Sequence, residues 1–301
     1  WLTGLQIRPE VSAVVHHALI YAMMPETADP LVAQFGLGQP FQCGGGLPPA
    51  TQIHAWFPGT QPLQLPRGMA LPLVPGTKIG VQLHYHPHGG VYDADHTAMD
   101  LQLSPDPPSR LFLAGMIGNE TMAPRLLPGP GDTQDGVPEF IVPKNVPDHP
   151  EHMRIPLTGL GGMKVVSVLP HMHLLGTRLI VTLERGSPRR DEPSTECLAN
   201  SSWNFDWQRN YAYDAAFDDL PTVDDDDIYD LQCTWNNTTS NPFMDRYLAE
   251  TNQHEPVDVP FGEQTTNEMC LTIAGLATAA EDMSADSIRR IMARARGELG
   301  P

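Results

Sequence analysis

The amino-acid sequence predicts an all-β fold, and three observations support this prediction. Glycine and proline are frequent, with 26 and 31 residues in a chain of 301, which favours many short strands joined by tight turns over long helices. Along residues 78–85, Ile, Val, Leu and Tyr alternate with Lys, Gly, Gln and His. This is the pattern of a half-buried strand whose apolar face is inside. Only one segment, near the C-terminus, has the apolar spacing of a helix.

The strand pattern recurs along the chain on both sides of a proline cluster. The predicted strands cover residues 12–22, 78–85, 111–117, 165–173, 178–184, 228–234 and 269–276. Pro105, Pro107 and Pro108 indicate an interdomain linker, because proline cannot donate to a central ladder. We therefore predict two domains, 1–106 and 107–301.

Two segments are predicted to be neither strand nor linker. Residues 128–152 are rich in Pro, Gly and Asp and are expected to form a long surface connection. The single predicted helix begins after Ser284, a good N-cap residue, and ends at Gly297. Its apolar face comprises Ile288, Ile291, Met292 and Ala295.

Charge and hydropathy exclude two classes of partner. Eighteen basic residues against 36 acidic ones give a net charge of −18, so binding of nucleic acid, which requires clustered Lys and Arg, is not expected. No stretch approaches the ~20 apolar residues of a membrane-spanning helix. Trp1 stands inside a strand-like stretch, so we expect that residues upstream of it were removed or lie outside this sequence.

Histidine is the most informative residue type. Several of the twelve histidines fall into three clusters, 16–17, 84–88 and 171–173. A lone histidine is more often an ordinary residue, but clusters on strands favour a metal site. His171 and His173 would share one strand face, as would Gln82, His84 and His86. His16 and His17 can meet one metal only if the strand is bulged there.

The residues alone leave the metal open. The HExxH pattern and the Cys-x-x-Cys pairs of zinc sites are absent. A methionine as third ligand beside His171 and His173 would favour Cu(I) over zinc. Spacing does not single out one of the 13 methionines.

Four motifs in order carry a resemblance to a known family: His-His, Gln-Leu-His-Tyr, His-Met-His-Leu-Leu-Gly and Thr-Thr-Asn-Glu-Met-Cys. Through them the chain resembles the copper type II ascorbate-dependent monooxygenases, and the match runs from about residue 5 to residue 280. That family includes dopamine β-monooxygenase and peptidylglycine α-hydroxylating monooxygenase. His54-Ala55-Trp56, followed by residues 65–68, is similar to the segment before the third histidine. Residues 203–208 with Tyr211 most resemble the dopamine branch.

The resemblance implies a fold, two coppers and an activity. The fold would be two antiparallel jelly-roll β-sandwich domains facing each other across a water-filled cleft. The electron-storing copper would be bound by His16, His17 and His84, and the catalytic copper by His171, His173 and Met269. Such an enzyme hydroxylates a C–H bond with O2 and an ascorbate-type reductant, chemistry that no side chain supplies unaided. His86 remains an alternative to His84, and Gln82 is either a cleft residue or a plain strand glutamine.

The cysteines indicate the compartment in which the protein works. Cys233 and Cys270 are similar to positions that form a disulfide in the family, whereas Cys43 and Cys197 have no assigned partners. A disulfide and a metal acquired outside the reducing cytosol both imply a secreted or periplasmic protein. The sequence does not predict the oligomeric state.

Departures from the family concern the substrate. Leu169, Leu271 and Ile273 replace the Arg, Asn and Tyr that serve the peptide-amidating enzyme, which argues against peptidylglycine. Glu268 could meet a substrate amine, or it could be structural. A small apolar or aromatic substrate is therefore expected.

Two other classes of function remain open from the sequence. One is a copper-binding protein on the same scaffold without turnover. The other is a carbohydrate-binding or enzymatic jelly roll whose histidines are incidental.

Overall fold

A computed structural model describes residues 1–42, 50–86, 90–118, 127 and 140–280. Over this part of the chain the protein is mostly β-strand, which confirms the predicted all-β class. The chain divides into two compact units, residues 1–115 with 275–280, and residues 116–274. The predicted C-terminal helix lies outside the described residues. The predicted domains and the jelly-roll topology stay predictions.

The first unit contains two three-stranded antiparallel sheets. One has the order β4-β1-β7 and the other β3-β2-β6. The strands are β1 (Leu2–Arg8), β2 (Val15–Met23), β3 (Thr51–Trp56), β4 (Leu63–Gln64), β5 (Met69–Ala70), β6 (Lys78–Tyr85) and β7 (Ala98–Leu103). A short parallel pair joins β5 to the start of β8 (Arg110–Gly118).

Strand β6 coincides with the predicted strand, but its burial does not follow the prediction. Val81 and Tyr85 lie on its apolar face and are nevertheless 40% and 43% exposed. The reason is that β6 is an edge strand, paired only with β2 in its sheet. Ile79 and Leu83 on the same face are half-buried, as are Gln82 and His84 on the other, so neither face of β6 is fully buried.

A helix, α1 (Pro25–Phe35), follows β2 and was not predicted. Pro25 occupies the first turn, where a missing N–H costs nothing, and Gly36 ends the helix at φ 89°. Pro30 lies inside it. In the sequence these prolines indicate a turn, which is why the segment was not recognised as helical.

The second unit contains a four-stranded antiparallel sheet of order β10-β15-β12-β13, and a sheet in which β11 lies between β14 and β17, with β8 beyond β17. Its strands are β9 (Ile141–Val142), β10 (His149–Pro156), β11 (Lys164–His171), β12 (Gly176–Glu184), β13 (Thr195–Ser202), β14 (Tyr211–Ala212), β15 (Ile228–Trp235), β16 (Val259–Pro260) and β17 (Leu271–Ala279). A second unpredicted helix, α2 (Met244–Thr251), ends at Asn252. Strands β9 and β10 lie partly within residues 128–152, so the predicted long connection is wrong there.

Contacts across the second unit show that its two sheets face each other. Tyr229 on β15 and Thr272 on β17 form a buried hydrogen bond of 2.9 Å between their hydroxyl groups. Cys233 on β15 forms a disulfide with Cys270, the residue before β17, which confirms the predicted pairing. Cys197 is exposed and is not in a disulfide, and Cys43 lies outside the described residues. The disulfide ties β15 to the residue after Met269.

Candidate metal centres

The first centre is formed by His16, His17 and His84, which β2 and β6 bring together. His17 pairs directly with His84 across the two strands, and the register shifts between Val15 and His17. This irregularity is the bulge that the adjacent histidines require, because a regular strand would send them to opposite faces. All three side chains are half-buried.

The donor atoms of these three histidines converge. One ring nitrogen of each lies within 4.8 Å of the others, and Nδ1 of His16 is 3.0 Å from Nδ1 of His17. Two nitrogens bound to one metal at about 2.0 Å and at right angles lie about 2.8 Å apart. The residues present therefore fit a metal ion held by three imidazoles. Among the described residues this is the one such group of three or more His, Cys, Asp or Glu side chains.

Two further residues of this strand face lie beside the triad. The ring centroid of His86 is 6.1 Å from that of His16, but His86 is not part of the converging group. The hydroxyl of Tyr21 donates to Oε1 of Gln82 at 3.4 Å. His88 lies outside the described residues.

The second centre is built on the end of β11. His171 is the last residue of that strand, and His173 lies beyond it, so the prediction that both occupy one strand is wrong. Their rings nevertheless lie together in an edge-to-face arrangement, with centroids 5.2 Å apart and planes at 87°. Both are buried. The chain turns after His171 instead of continuing as a strand.

The hydrogen bonds of this centre determine which ring nitrogen carries a proton. Nδ1 of His171 is 2.9 Å from Oε1 of Gln208, and the Gln208 amide is oriented by its N–H bond to the carbonyl of Phe205. Nδ1 of His173 is 3.0 Å from the carbonyl oxygen of Asn267. Both oxygens only accept, so each Nδ1 must donate. The lone pair available to a metal is then on Nε2 in both rings.

Burial acts on the charge of His171. It lowers the pKa of His171 to about 4, and the hydrogen bond to Gln208 opposes this shift only in part. The ring is therefore neutral at pH 7, which is the form that binds metals.

Glu268 holds the loop that carries His173. Its carboxylate accepts from the backbone N–H groups of His173 at 2.9 Å and Leu175 at 2.7 Å, and from Nε1 of Trp235 at 2.8 Å. Burial raises the pKa of Glu268 to about 7, while these donors and the N–H of Met269 favour the ionised form. This network makes Glu268 a structural anchor.

Trp203 closes another side of the second centre. Its Nε1 donates to the carbonyl oxygen of His173 at 2.9 Å, and its ring meets the edge of His171 at 6.0 Å. A Cβ on Gly176 would lie 2.7 Å from Cδ1 of Trp203 and 2.8 Å from Cε of Met172. Only glycine allows the indole and the methionine to pack together there.

The remaining predicted residues are placed as follows. Met269 follows Glu268 directly and is buried. Leu169, Leu271 and Ile273 are 3%, 3% and 7% exposed. These three apolar side chains are part of the core in this structure, and their role toward a substrate stays a prediction.

Sequence reasoning missed the residues that orient the second centre. Gln208, Trp203 and the carbonyl of Asn267 were not among the predicted site residues. The signal was present, since residues 203–208 belong to the stretch that most resembles the dopamine β-monooxygenase branch, and Asn267 lies in Thr-Thr-Asn-Glu-Met-Cys.

Comparisons with known proteins leave the family open. No protein-family model matches the chain, and no curated protein matches it. One solved structure, that of the infectious bursal disease virus Gx strain, aligns with 99% of this chain and 73% of its own at 9% identity and a TM-score of 0.24. A similarity this low carries no argument about fold or function. No helix among the described residues is long and apolar enough to cross a membrane.

Proposed function

We propose that this chain is a copper-dependent monooxygenase that hydroxylates a C–H bond of a small organic substrate with O2 and an ascorbate-type reductant. The observation that carries the proposal is the convergence of His16, His17 and His84. These residues come from two separate motifs of the resemblance, and one ring nitrogen of each lies within 4.8 Å of the others, close enough for the three to share a metal ion.

Copper is favoured over zinc by the donors of the second centre. The first centre offers imidazoles alone, with no cysteine or carboxylate in the converging group, and imidazole binds copper and zinc alike. The second offers His171 and His173, and Met269 as the proposed third ligand. A thioether is a soft donor that suits Cu(I).

The residues around the second centre would prepare it for this chemistry. Copper bound there would supply O2 activation and one-electron transfer, which side chains lack. Gln208 and Asn267 hold the protons of both rings on Nδ1, so Nε2 would be the nitrogen that binds the metal, and such outer hydrogen-bond partners orient the ligands of metal sites. Glu268 fixes the backbone of His173, and burial of the histidines excludes water.

The disulfide supports an extracytoplasmic location for such an enzyme. Disulfides persist in secreted and periplasmic proteins and are rare in the reducing cytosol. Leu169, Leu271 and Ile273 stand where the peptide-amidating enzyme has Arg, Asn and Tyr, so we propose a small apolar or aromatic substrate in place of peptidylglycine.

The decisive test measures copper and product together. The purified chain is loaded with copper, and X-ray absorption is recorded on the ascorbate-reduced protein for the wild type and Met269→Ala. We expect two coppers per chain and a copper–sulfur signal that is lost in the variant. Met163→Ala, at another buried methionine of the second unit, is the matched control and should keep the signal.

Turnover is tested by product analysis. Small aromatic compounds are incubated with ascorbate and 18O2, and one 18O atom per hydroxylated product is expected in proportion to O2 consumed. Oxygen uptake alone does not discriminate, because loosely bound copper also oxidises ascorbate. Two bound coppers without coupled product would favour the non-catalytic copper-binding protein, and absence of tight copper binding would favour a jelly roll with incidental histidines.

A further inference from the structure

His86 stands beside the first centre on the same strand side as its ligands. It follows β6, which ends at Tyr85, and it has the same parity as His84. Its backbone N–H donates to the carbonyl oxygen of Val14 at 2.8 Å. The backbone of this residue is therefore fixed against β2, while the half-buried side chain projects beside the triad.

The ring positions fit two different relations to a metal. A metal–nitrogen bond of about 2.0 Å puts each imidazole centroid about 3.2 Å from the metal, so centroids lie about 4.5 Å apart at right angles and about 6.4 Å apart when trans. The three pairs within the triad are separated by 5.0, 5.1 and 4.7 Å, near the first value. The 6.1 Å between His16 and His86 is near the second.

His86 does not yet reach the bound position. The nitrogens of the triad lie within 4.8 Å of one another, and His86 is not part of that group. Its ring must turn about its side-chain bonds to place a nitrogen at the metal. Such a ligand can bind in one state of the metal and leave in another.

We infer that His86 is a fourth ligand of the copper at the first centre, bound in the Cu(II) state and released in the Cu(I) state. This inference rests on the proposed copper function. Cu(II) accepts tetragonal sets of nitrogen and oxygen donors, and His86 would add a fourth nitrogen to the three that the triad offers. After one-electron reduction by the reductant, the three imidazoles of the triad would suffice for Cu(I), and His86 would no longer be needed as a ligand.

The test compares His86→Ala with the wild type in the full chain, on a His171→Ala background that weakens the second centre. His96→Ala is the matched control, because His96 lies in the same unit and is exposed. In the wild-type first centre we expect X-ray absorption to count four imidazoles on oxidised copper and three after reduction by ascorbate. His86→Ala should give three in both states, and His96→Ala should behave as the wild type.

Affinity gives a second readout. The dissociation constant for Cu(II), measured by chelator competition, should rise about 10- to 100-fold in His86→Ala, the range typical for loss of a metal-site partner. The constant for Cu(I) should change by less than about twofold, since the ligand is released in that state. Equal imidazole counts in both states of the wild type, or unchanged Cu(II) affinity in the variant, would overturn the inference.

The outcomes separate this inference from the proposed function. If the wild type fails to bind copper at the triad, the function itself fails. If it binds copper with three imidazoles regardless of His86, only the inference fails. Should the His171→Ala background not fold, the same measurement is made on the two-copper protein, where the mean count per oxidised copper should fall by half an imidazole in His86→Ala.

Discussion

The two histidine centres are built by different means. The first consists of half-buried rings on two neighbouring strands, and its geometry follows from a register shift between Val15 and His17. The second consists of buried rings at a strand end, each held by an acceptor far along the chain, Gln208 or Asn267. Local strand pairing therefore organises the first centre, whereas tertiary hydrogen bonds organise the second. Perturbations away from the ligands should affect the second centre far more strongly.

Removing the anchor of the second centre should have the largest effect. Glu268→Leu leaves at least three buried donors without an acceptor, on His173, Leu175 and Trp235. At about 1–3 kcal/mol for each orphaned donor, the loss in the free energy of unfolding should be about 5 kcal/mol. Urea unfolding measures it. The exposed Glu263 provides the control, since Glu263→Leu should change stability by less than about 0.5 kcal/mol, and equal losses in both variants would contradict the anchoring role.

The disulfide should rank next. It closes a loop with a sequence separation of 37 residues, so the double variant Cys233→Ala, Cys270→Ala should lose about 4 kcal/mol by restoring the entropy of the unfolded chain. Thermal unfolding at matched protein concentration checks this value. The exposed cysteine gives a control in Cys197→Ala, which should unfold as the wild type does. A double variant as stable as that control would mean that the cross-link does not constrain the second unit.

The outer support of His171 should matter for metal affinity more than for folding. In Gln208→Leu the Nδ1 proton has no acceptor on residue 208, and the ring is released to rotate. We expect copper affinity at the second centre to fall about 10- to 100-fold, while the first centre keeps its affinity. Chelator competition on both centres measures this difference. Gln253→Leu, at an exposed glutamine, should leave both affinities unchanged. An equal fall in copper affinity at both centres in Gln208→Leu would contradict a role of Gln208 at the second centre alone.

The sequence predicts the first centre better than the second for a physical reason. Strand periodicity is local, so the alternation in residues 78–85 predicts β6 and the side on which His84 lies. The bulge at His16 and His17 also follows from two adjacent ligands. The supports of the second centre depend on which loops return to His171 and His173, and local periodicity does not encode that return. For this reason Glu268 was predicted only as a candidate that could also be structural, and Gln208 was missed.

The same distinction explains the errors in secondary structure. The two helices were missed because α1 contains Pro25 and Pro30, which locally indicate a turn, and because α2 has only eight residues. The exposure of Val81 was also mispredicted, since an alternating pattern does not reveal that β6 lies at a sheet edge. The all-β class survives these errors because it rests on many strands and not on one.

The smallest expected effect concerns a histidine of the second unit outside both centres. His152 lies on β10, and its Nδ1 is 3.0 and 3.2 Å from the two carboxylate oxygens of Asp230 on β15. The hydrogen bond to Asp230 raises the pKa of His152 against the effect of burial. A histidine whose pKa is raised by folding stabilises the protein fully below its ordinary pKa of about 6.5, and this contribution disappears as the pH rises through the folded value.

The pH dependence of this pair sharpens the comparison between the centres. His152→Asn should lose no more than about 1 kcal/mol at pH 5–6, because the pair is partly exposed to solvent, and the loss should vanish toward pH 9. Urea unfolding across this range measures the difference, with His96→Asn as the exposed control. The His152–Asp230 pair therefore stabilises the second unit most at pH 5–6, where a histidine with an ordinary pKa of about 6.5 is protonated. A loss in His152→Asn that is as large at pH 9 as at pH 5–6 would show that Asp230 does not favour the protonated form of His152.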